Sequence, residues 1–399
     1  MSLRVIVAGG GVGGLCLAQG LRKLGIEVTV YERDAGATAR GQGYRLRIDH
    51  HGTAALRACL PADLFALYEA TSSPPYRSVG RIYDDQLNLL YTHADPRAAI
   101  DPQTAARGVN RLTLRQVLLA GLDDHVRFGS TVTGFELAGG EVRVRLGDGG
   151  PVTADLLVGA DGLGSAIRRG LAPEADIFDT GLRAIYGMTP LDDDLTAALP
   201  AELFSGSCLI QGPERRTVAL GSYQPVLSQQ EAVRRYAPYA HVDTVPDYMK
   251  WVVVAPQETY SLSAAEFWSA RPERLCGEAL ESVLTWHPDL VELVRRGARE
   301  VTTPIAIRAA AHLPDWPTGP VTLIGDAIHA TTPVGGTGAN TALRDAAELC
   351  ARLGGVTTGT QLLDAVSGYE SAMREYGKAA AVSSLRGAEK IFRCDPVYV

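Results

Sequence analysis

Hydrophobic runs of changing period follow one another along the chain, and their order predicts its architecture. Leu3-Arg-Val-Ile-Val-Ala8 is a nearly unbroken apolar run of strand length, the pattern of a strand buried on both faces. It passes through Gly9-Gly-Gly11-Val12-Gly13-Gly14 into Leu15, Leu17, Ala18, Leu21 and Leu24 at helical spacing, then into a second strand, Val28-Thr-Val-Tyr31. This is a βαβ unit. A helix is predicted over Leu112 to Leu122, and Thr131–Phe135, Glu141–Leu146 and Val152–Val158 then read as a β-meander with turns at Gly139-Gly140 and Asp148-Gly149-Gly150. Between about 176 and 300 the strand-like runs Gly181–Met188, Cys208–Ile210, Thr217–Tyr223 and Tyr248–Val254 carry Tyr and Trp, and helical patterns follow. Val321 to Ile324 is a last buried strand, Ala342, Ala346, Leu349 and Leu353 return to helical spacing, and Leu362 to Phe392 reads as a closing helix.

The fold class expected is α/β: a Rossmann-like nucleotide-binding domain, an inserted β-sheet substrate domain and a C-terminal helical tail. Residues 1–70, 100–175 and 301–360 are assigned to the first, 71–99 and 176–300 to the second, and 361–399 to the tail. No period of 20 to 50 residues suggests a solenoid.

The turns between these elements carry the chemistry. Gly9, Gly11 and Gly14 fit G-x-G-x-x-G between a strand and a helix, and Glu32 ends the second strand eighteen residues after Gly14. That spacing places backbone N–H groups at a helix N-terminus for a pyrophosphate and a carboxylate for a ribose hydroxyl. The strand at Ala154-Asp-Leu-Leu-Val-Gly-Ala runs into a second acidic turn, Asp161-Gly162. The strand ending at Ile324 runs into a third, Gly325-Asp326, followed by His329 and Pro333-Val-Gly-Gly-Thr-Gly338-Ala339-Asn340. Asp326 can accept hydrogen bonds from sugar-like hydroxyls, and Gly335, Gly336 and Gly338 lack the Cβ atoms that would hold the backbone away from a flat ring. The helix then begins near Gly338 to Asn340, its N-terminus favouring an anion.

With these motifs in this order, the chain resembles the single-component FAD-dependent aromatic hydroxylases, the p-hydroxybenzoate hydroxylase class that also includes salicylate hydroxylases and tetracycline-inactivating monooxygenases. Tyr31-Glu32-Arg33, Val109-Asn-Arg111-Leu-Thr-Leu-Arg115, Asp161-Gly162, Gly325-Asp326 and Tyr369-Glu370…Met373…Tyr376-Gly377 extend the likeness over nearly the whole chain. The resemblance implies an FAD site in which Glu32 holds the adenosine ribose, Arg33 and Arg111 contact the nucleotide and pyrophosphate, and Asp326 binds the ribitol. It further implies cofactor contacts from Gly9, Gly11, Val12, Gly13, Gly14, Val132, Asp161 and Pro333, with Gly338, Ala339 and Asn340 under the flavin ring. Arg45 and Arg47, in Gly41-Gln-Gly-Tyr-Arg-Leu-Arg47, fall where the family often places residues beside the flavin, although an arginine pair on an alternating strand is more often a solvated face. The implied activity is hydroxylation of an aromatic or polyketide-like small molecule, of the kind met in secondary metabolism. NAD(P)H serves as transient co-substrate and O2 as oxidant, through a flavin C4a-hydroperoxide. The chain departs from the common family wording at Thr332, where a first proline usually stands before Pro333.

Composition adds exclusions. With 399 residues, 46% apolar and 21% charged, the chain can bury a large core. A net charge of −7 argues against a nucleic-acid surface. The basic pairs Arg168-Arg169, Arg215-Arg216, Arg234-Arg235 and Arg295-Arg296 are scattered and read as solvated faces. Six cysteines without a C-x-x-C pair, and histidines without metal spacing, give no metal site. No apolar run has the roughly 18 residues of a membrane span; a soluble cytoplasmic enzyme is expected. One dinucleotide fingerprint argues against a reductase with separate FAD and nicotinamide domains. No protein nucleophile is required, and the catalytic candidates are Pro333, whose carbonyl can polarise a substrate hydroxyl by the resemblance, Arg45, and Tyr223 in the expected substrate sheet. His329 reads as supporting its turn, and His50-His51 as loop histidines. The alternatives are a flavin-dependent dehydrogenase, epoxidase or halogenase on the same scaffold, and a catalytically silent FAD- or ligand-binding accessory protein. The four tryptophans stand apart, so the W-x-W-x-I-P pattern of halogenases is absent.

Overall fold

Two sheets divide the work of the chain, and a computed structural model describes residues 3–39, 44–76, 79–94, 105–204 and 206–395 of it. Residues 40–43, which include the start of the Gly41–Arg47 segment, and 95–104, where the domain junction near 100 was placed, lie outside the described residues. In chain order the strands are β1 (Arg4–Ala8), β2 (Glu27–Tyr31), β3 (Arg45–Ile48), β4 (Val79–Asp84), β5 (Leu89–Ala94), β6 (Arg107–Asn110), β7 (Val126–Arg127), β8 (Val132–Ala138), β9 (Glu141–Leu146), β10 (Val152–Ala154), β11 (Leu156–Gly159), β12 (Ile177–Pro190), β13 (Ser207–Gln211), β14 (Thr217–Tyr223), β15 (Tyr248–Pro256), β16 (Thr303–Ala310) and β17 (Val321–Leu323). The helices are α1 (Val12–Lys23), α2 (His50–Cys59), α3 (Ala62–Ala70), α4 (Arg111–Leu119), α5 (Ala166–Leu171), α6 (Asp193–Ala198), α7 (Gln229–Tyr236), α8 (Ala264–Ser269), α9 (Pro272–Glu281), α10 (Pro288–Arg295), α11 (Thr337–Leu353) and α12 (Gly359–Ile391).

The nearly unbroken apolar runs form the five-stranded parallel sheet, in the order β17-β11-β1-β2-β7. All four residues of β11 are buried, as a strand covered on both faces must be. The seven-stranded sheet runs β16-β12-β15-β14-β13-β4-β5 and is antiparallel except where β13 meets β4. Its strands alternate: from β15, Met249, Trp251 and Val253 enter a core with Phe267, Leu275 and Leu293 of α8, α9 and α10. Val252 and Val254 face the other way and pack with Ala184, Ile307 and the end of α12.

The structure departs from the sequence reading at element boundaries. The run Val152–Val158 splits: Val152–Ala154 closes the three-stranded meander β10-β9-β8, while Leu156–Gly159 joins the parallel sheet beside β1. Thr303–Ala310, assigned by sequence to the nucleotide domain, is instead an edge strand of the seven-stranded sheet, because it pairs antiparallel with β12. The C-terminal tail is a single 33-residue helix, roughly 50 Å long at 1.5 Å per residue. Val366, Tyr369 and Met373 pack in the core of the parallel sheet, and Ala388 in that of the seven-stranded sheet, so α12 acts as a strut between the two.

Helices α1 and α11 approach closely because small residues line their contact. A Cβ at Gly13 would stand 3.1 Å from the Ala342 Cβ, one at Gly20 2.5 Å from the Cys350 Sγ, and one at Gly325 3.0 Å from the Ala342 Cβ. Ala342 thus lies between the helix that follows β1 and the turn that follows β17. No described helix is long and apolar enough to cross a membrane. Ala342→Leu is expected to destabilise the fold by about 1–3 kcal/mol, the usual cost of overpacking. Urea unfolding monitored by circular dichroism checks this, and an unchanged midpoint would show that the two helices can separate freely.

Candidate functional site

The ends of β1, β11 and β17, the N-termini of α1 and α11, and one face of the seven-stranded sheet enclose a single cavity of about 1740 Å³. Pockets for one drug-sized ligand occupy roughly 300–1,000 Å³, so this one has room for a large cofactor and a second small molecule.

At the first end, Gly11 caps α1 without any side-chain hydrogen bond, leaving the N–H groups of the first turn for a ligand. Gly9 adopts φ +111°, and a Cβ there would collide with the Ala160 carbonyl, so the glycine loop and the end of β11 can touch only without a side chain. The Glu32 Oε2 accepts from Gly10 N–H (2.6 Å) and Oε1 from Asp34 N–H (2.8 Å), so Glu32 shapes the loop while lining the cavity. Arg115 reinforces it: Nε donates to Gly10 O (3.1 Å) and Nη1 to Ala37 O (2.5 Å).

At the second end, buried Asp345 of α11 organises the Gly325-Asp326 turn. Its Oδ2 accepts from Gly325 N–H (2.7 Å) and His329 Nε2 (2.7 Å), and its Oδ1 from the Tyr376 hydroxyl of α12 (2.6 Å). Burial opposes a charge on His329, but the Asp345 carboxylate outweighs it and raises the imidazole above its ordinary pKa. Arg168 joins two acidic turns, donating from Nη1 to Ala327 O (2.9 Å) and from Nη2 to Leu163 O (2.8 Å). Asp326 itself stands deep in the protein yet exposed, because it faces the cavity. Burial raises its carboxyl above the ordinary range against the pull of His329 and Arg111. Among the described residues neither of its oxygens has a hydrogen-bond partner.

The structure sorts the sequence candidates. Gly9, Gly11, Val12, Gly13, Gly14, Glu32, Arg33, Arg45, Arg111, Val132, Asp161, Asp326, Pro333, Gly338 and Ala339 all line the cavity. Asn340 does not: it is buried, its Nδ2 donates to Arg47 O and Gly336 O, and its Oδ1 accepts Asp49 N–H. It ties β3 and α2 to the start of α11 and so positions the glycine loop from behind. Tyr223 is removed as a catalytic candidate, since it is fully buried in the body of the protein. Its hydroxyl donates to Thr71 O (2.8 Å) and accepts from Gln229 Nε2 (3.1 Å), and burial pushes it up to about 12. The Pro333 carbonyl accepts from Gly336 N–H (3.2 Å), so it is engaged in its own loop. Thr332 explains its departure from proline: its N–H donates to Ser384 Oγ (3.2 Å) and its hydroxyl to Ser384 O (2.8 Å), pinning the loop to α12. His50 and His51 sit in the first turn of α2 rather than in a loop. Arg168, read as half of a solvated pair, is buried.

The sequence reading gave no site role to Asp345, Arg115, Arg168 or Lys250, although Arg115 closes the Val109–Arg115 motif and Arg168 was named in a basic pair. Asp345 and Lys250 did leave a signal, a charge set into an apolar pattern: Asp345 lies on the stripe of Ala342, Ala346 and Leu349, and Lys250 alternates with Val252 and Val254.

The residues fit FAD. An uncapped helix N-terminus suits the pyrophosphate. The unpartnered Asp326 suits the hydroxyl-rich ribityl chain, and Asp161, whose Oδ2 caps α5 at Ala166 N–H (2.7 Å), keeps a buried Oδ1 without a partner. Arg111 lies over the Tyr44 ring with no carboxylate partner among the described residues.

The chain also matches known proteins in sequence and fold. Residues 302–384 match the FAD binding domain family, and 7–84 the NAD(P)-binding Rossmann-like domain family. The fold is similar to the crystal structure of a protein assigned as an FAD-containing monooxygenase, from Photorhabdus luminescens subsp. laumondii. Identity is 32%, the TM-score 0.82, and coverage 98% of this chain and 99% of that one. The chain is 31% identical over 359 residues to the dual O-methyltransferase/FAD-dependent monooxygenase elcB of Phaeosphaeria nodorum, covering 84% of this chain and 38% of that protein. It is 27% identical over 337 residues to a chloroplastic zeaxanthin epoxidase of Spinacia oleracea, covering 83% and 44%. The chain therefore spans about two fifths of the length of these curated relatives.

The His329–Asp345 pair carries a pH signature. A group whose pKa rises on folding stabilises fully below its unfolded value, about 6.5 for histidine, and that stabilisation fades as pH rises through the folded pKa. His329→Gln is therefore expected to lose most stability near pH 5.5 and progressively less towards pH 9, values set roughly either side of the ordinary histidine pKa. Urea melts across that range check it, and a loss independent of pH would place the proton elsewhere.

Proposed function

Because the chain belongs to the FAD-dependent monooxygenase family, we propose that it uses NAD(P)H and O2 to hydroxylate an aromatic or polyketide-like small molecule. The observation that carries this reading is the shared cavity: two helix N-termini and an unpartnered carboxylate at one side, an apolar sheet face at the other.

Bound FAD supplies acceptance of a hydride from NAD(P)H and activation of O2. The chain supplies place and environment. The first turn of α1 neutralises pyrophosphate charge, Glu32 faces the ribose, and Asp326 and Arg111 hold the ribityl side. The glycines from Gly335 to Gly338 keep the backbone of this loop low, and Asn340 and Thr332 hold it rigid from behind. Val252, Val254, Ile305 and Ile307 make an apolar wall. That wall orients a planar substrate and excludes water from the reacting atoms. No side chain acting as a nucleophile is called for.

The likeness to zeaxanthin epoxidases supports a second reading, oxygen transfer to an alkene on the same scaffold. The two differ in product: a phenol or hydroxylated ring against an epoxide.

Purified protein should carry FAD and oxidise NAD(P)H faster when its substrate is present. One oxygen atom from labelled O2 should enter the product, as read by mass spectrometry; turnover unaffected by removing oxygen would contradict the proposal. Asp326→Ala should weaken FAD binding by about 10- to 100-fold, the worth of hydrogen bonds to a charged acceptor. Fluorescence titration of the apoprotein measures this, and unchanged affinity would remove Asp326 from the site.

A further inference from the structure

Lys250 lies on β15, paired across the sheet with Gly221 of β14 and Met188 of β12, and its side chain is on the cavity face with Val252 and Val254. The missing side chain at Gly221 makes room for a second cation: a Cβ there would stand 2.8 Å from Nη1 of Arg45, which reaches over from β3. Two cationic heads therefore enter one end of the cavity. Arg45 donates from Nη2 to the Tyr76 hydroxyl (2.7 Å), and its Nε is buried without a partner. Lys250 makes no hydrogen bond or ion pair among the described residues.

Among the described residues, the groups around them offer no compensating charge. Tyr186 comes from β12 and Tyr44 stacks on it with ring centroids 4.9 Å apart. Tyr248, on β15 itself, accepts from Asn110 Nδ2 (3.1 Å). Arg81 of β4 stands further along the same wall. None of these is a carboxylate. Two like charges, sunk side by side in a largely apolar chamber, are costly until an anion joins them. Away from this end the wall is Val252, Val254, Ile305 and Ile307, suited to a flat apolar ring.

We propose that Lys250 and Arg45 form the acid-recognising end of the substrate cavity and select an aromatic substrate that presents an ionised oxygen, carboxylate or phenolate, to them. The proposal rests on the monooxygenase reading of this cavity. Burial, with Arg45 adding to it, lowers the Lys250 amine to about 7, so near neutrality it can serve either source. A carboxylate arrives ionised and pairs with the ammonium form. A phenol arrives neutral and passes its proton from oxygen to the neutral Nζ, giving a phenolate beside an ammonium.

The two sources predict opposite pH profiles. Perturbation of the FAD absorbance of the holoenzyme can be titrated with 2-naphthoate, 2-naphthol and the neutral 2-naphthamide. If a carboxylate is recognised, naphthoate should bind at least about tenfold more tightly than naphthamide below pH 7, as expected for a charge-assisted pair. That advantage should fade as pH rises through 7. If a phenol is recognised, naphthol should bind best between pH 7 and its own pKa, about 10 as for tyrosine. Lys250→Met should abolish either preference, and Lys250→Arg should keep the naphthoate preference while flattening its pH dependence. FAD occupancy, read from absorbance, separates a lost subsite from a lost fold. Equal affinity for all three probes in the wild type, or no perturbation by either acid, would overturn the proposal, as would a preference that survives Lys250→Met. An intact acid preference without oxygen incorporation would sustain the subsite and overturn the monooxygenase reading.

Discussion

Everything at the site depends on how closely α1 and α11 can approach. Gly13 and Gly20 on one helix meet Ala342 and Cys350 on the other, at separations that leave no room for a larger side chain. The sequence interval between these helices is more than 300 residues, yet their N-termini open into the same cavity. Each N-terminus alone offers a partial positive charge to an anion. Held together, they offer an extended cofactor a grip at both ends, and Ala342 links that grip to the turn carrying Asp326.

The charged residues around the cavity divide by what they bind. Asp345, Glu32, Arg115 and Arg168 each make a hydrogen bond to a backbone group of the turns around the cavity, and so build the site. Asp326, Arg111 and Lys250 reach into the cavity without charged partners at hydrogen-bonding distance among the described residues. Burying a polar group unpaired is costly. Retaining several at one cavity is a stable arrangement when ligands complete their hydrogen bonds and charge pairs. FAD, the cofactor of the family to which the chain belongs, is one such ligand, and the substrate proposed above is the other.

Much of this was legible in the amino-acid order because the nucleotide half is local. A buried strand, Gly9 to Gly14, a helix and Glu32 lie within about 30 residues, the span of one βαβ unit, and their spacing encodes their contact. The Asp161 and Asp326 turns follow the same strand-to-turn logic. What sequence alone could not place depends on which face of an element meets which neighbour. Tyr223 and Lys250 occupy adjacent strands of one sheet, and only the register decides that the tyrosine is buried against Thr71 and Gln229 while the lysine enters the cavity. The same holds for Asn340, whose side chain turns back to β3, and for Val152–Val158, where one apolar run serves two sheets.

The central claim is that the two helix ends act as one site that takes both halves of a dinucleotide at once. Calorimetric titration of the apoprotein with FAD, and separately with FMN and ADP, tests it most directly. Two half-sites held at a fixed spacing raise affinity through effective concentration by roughly 10²–10⁴-fold. FAD is therefore expected to bind tighter than either fragment by a factor in that range. An affinity for FAD no greater than that for FMN or ADP alone would show that the two ends do not act together, and would contradict the account.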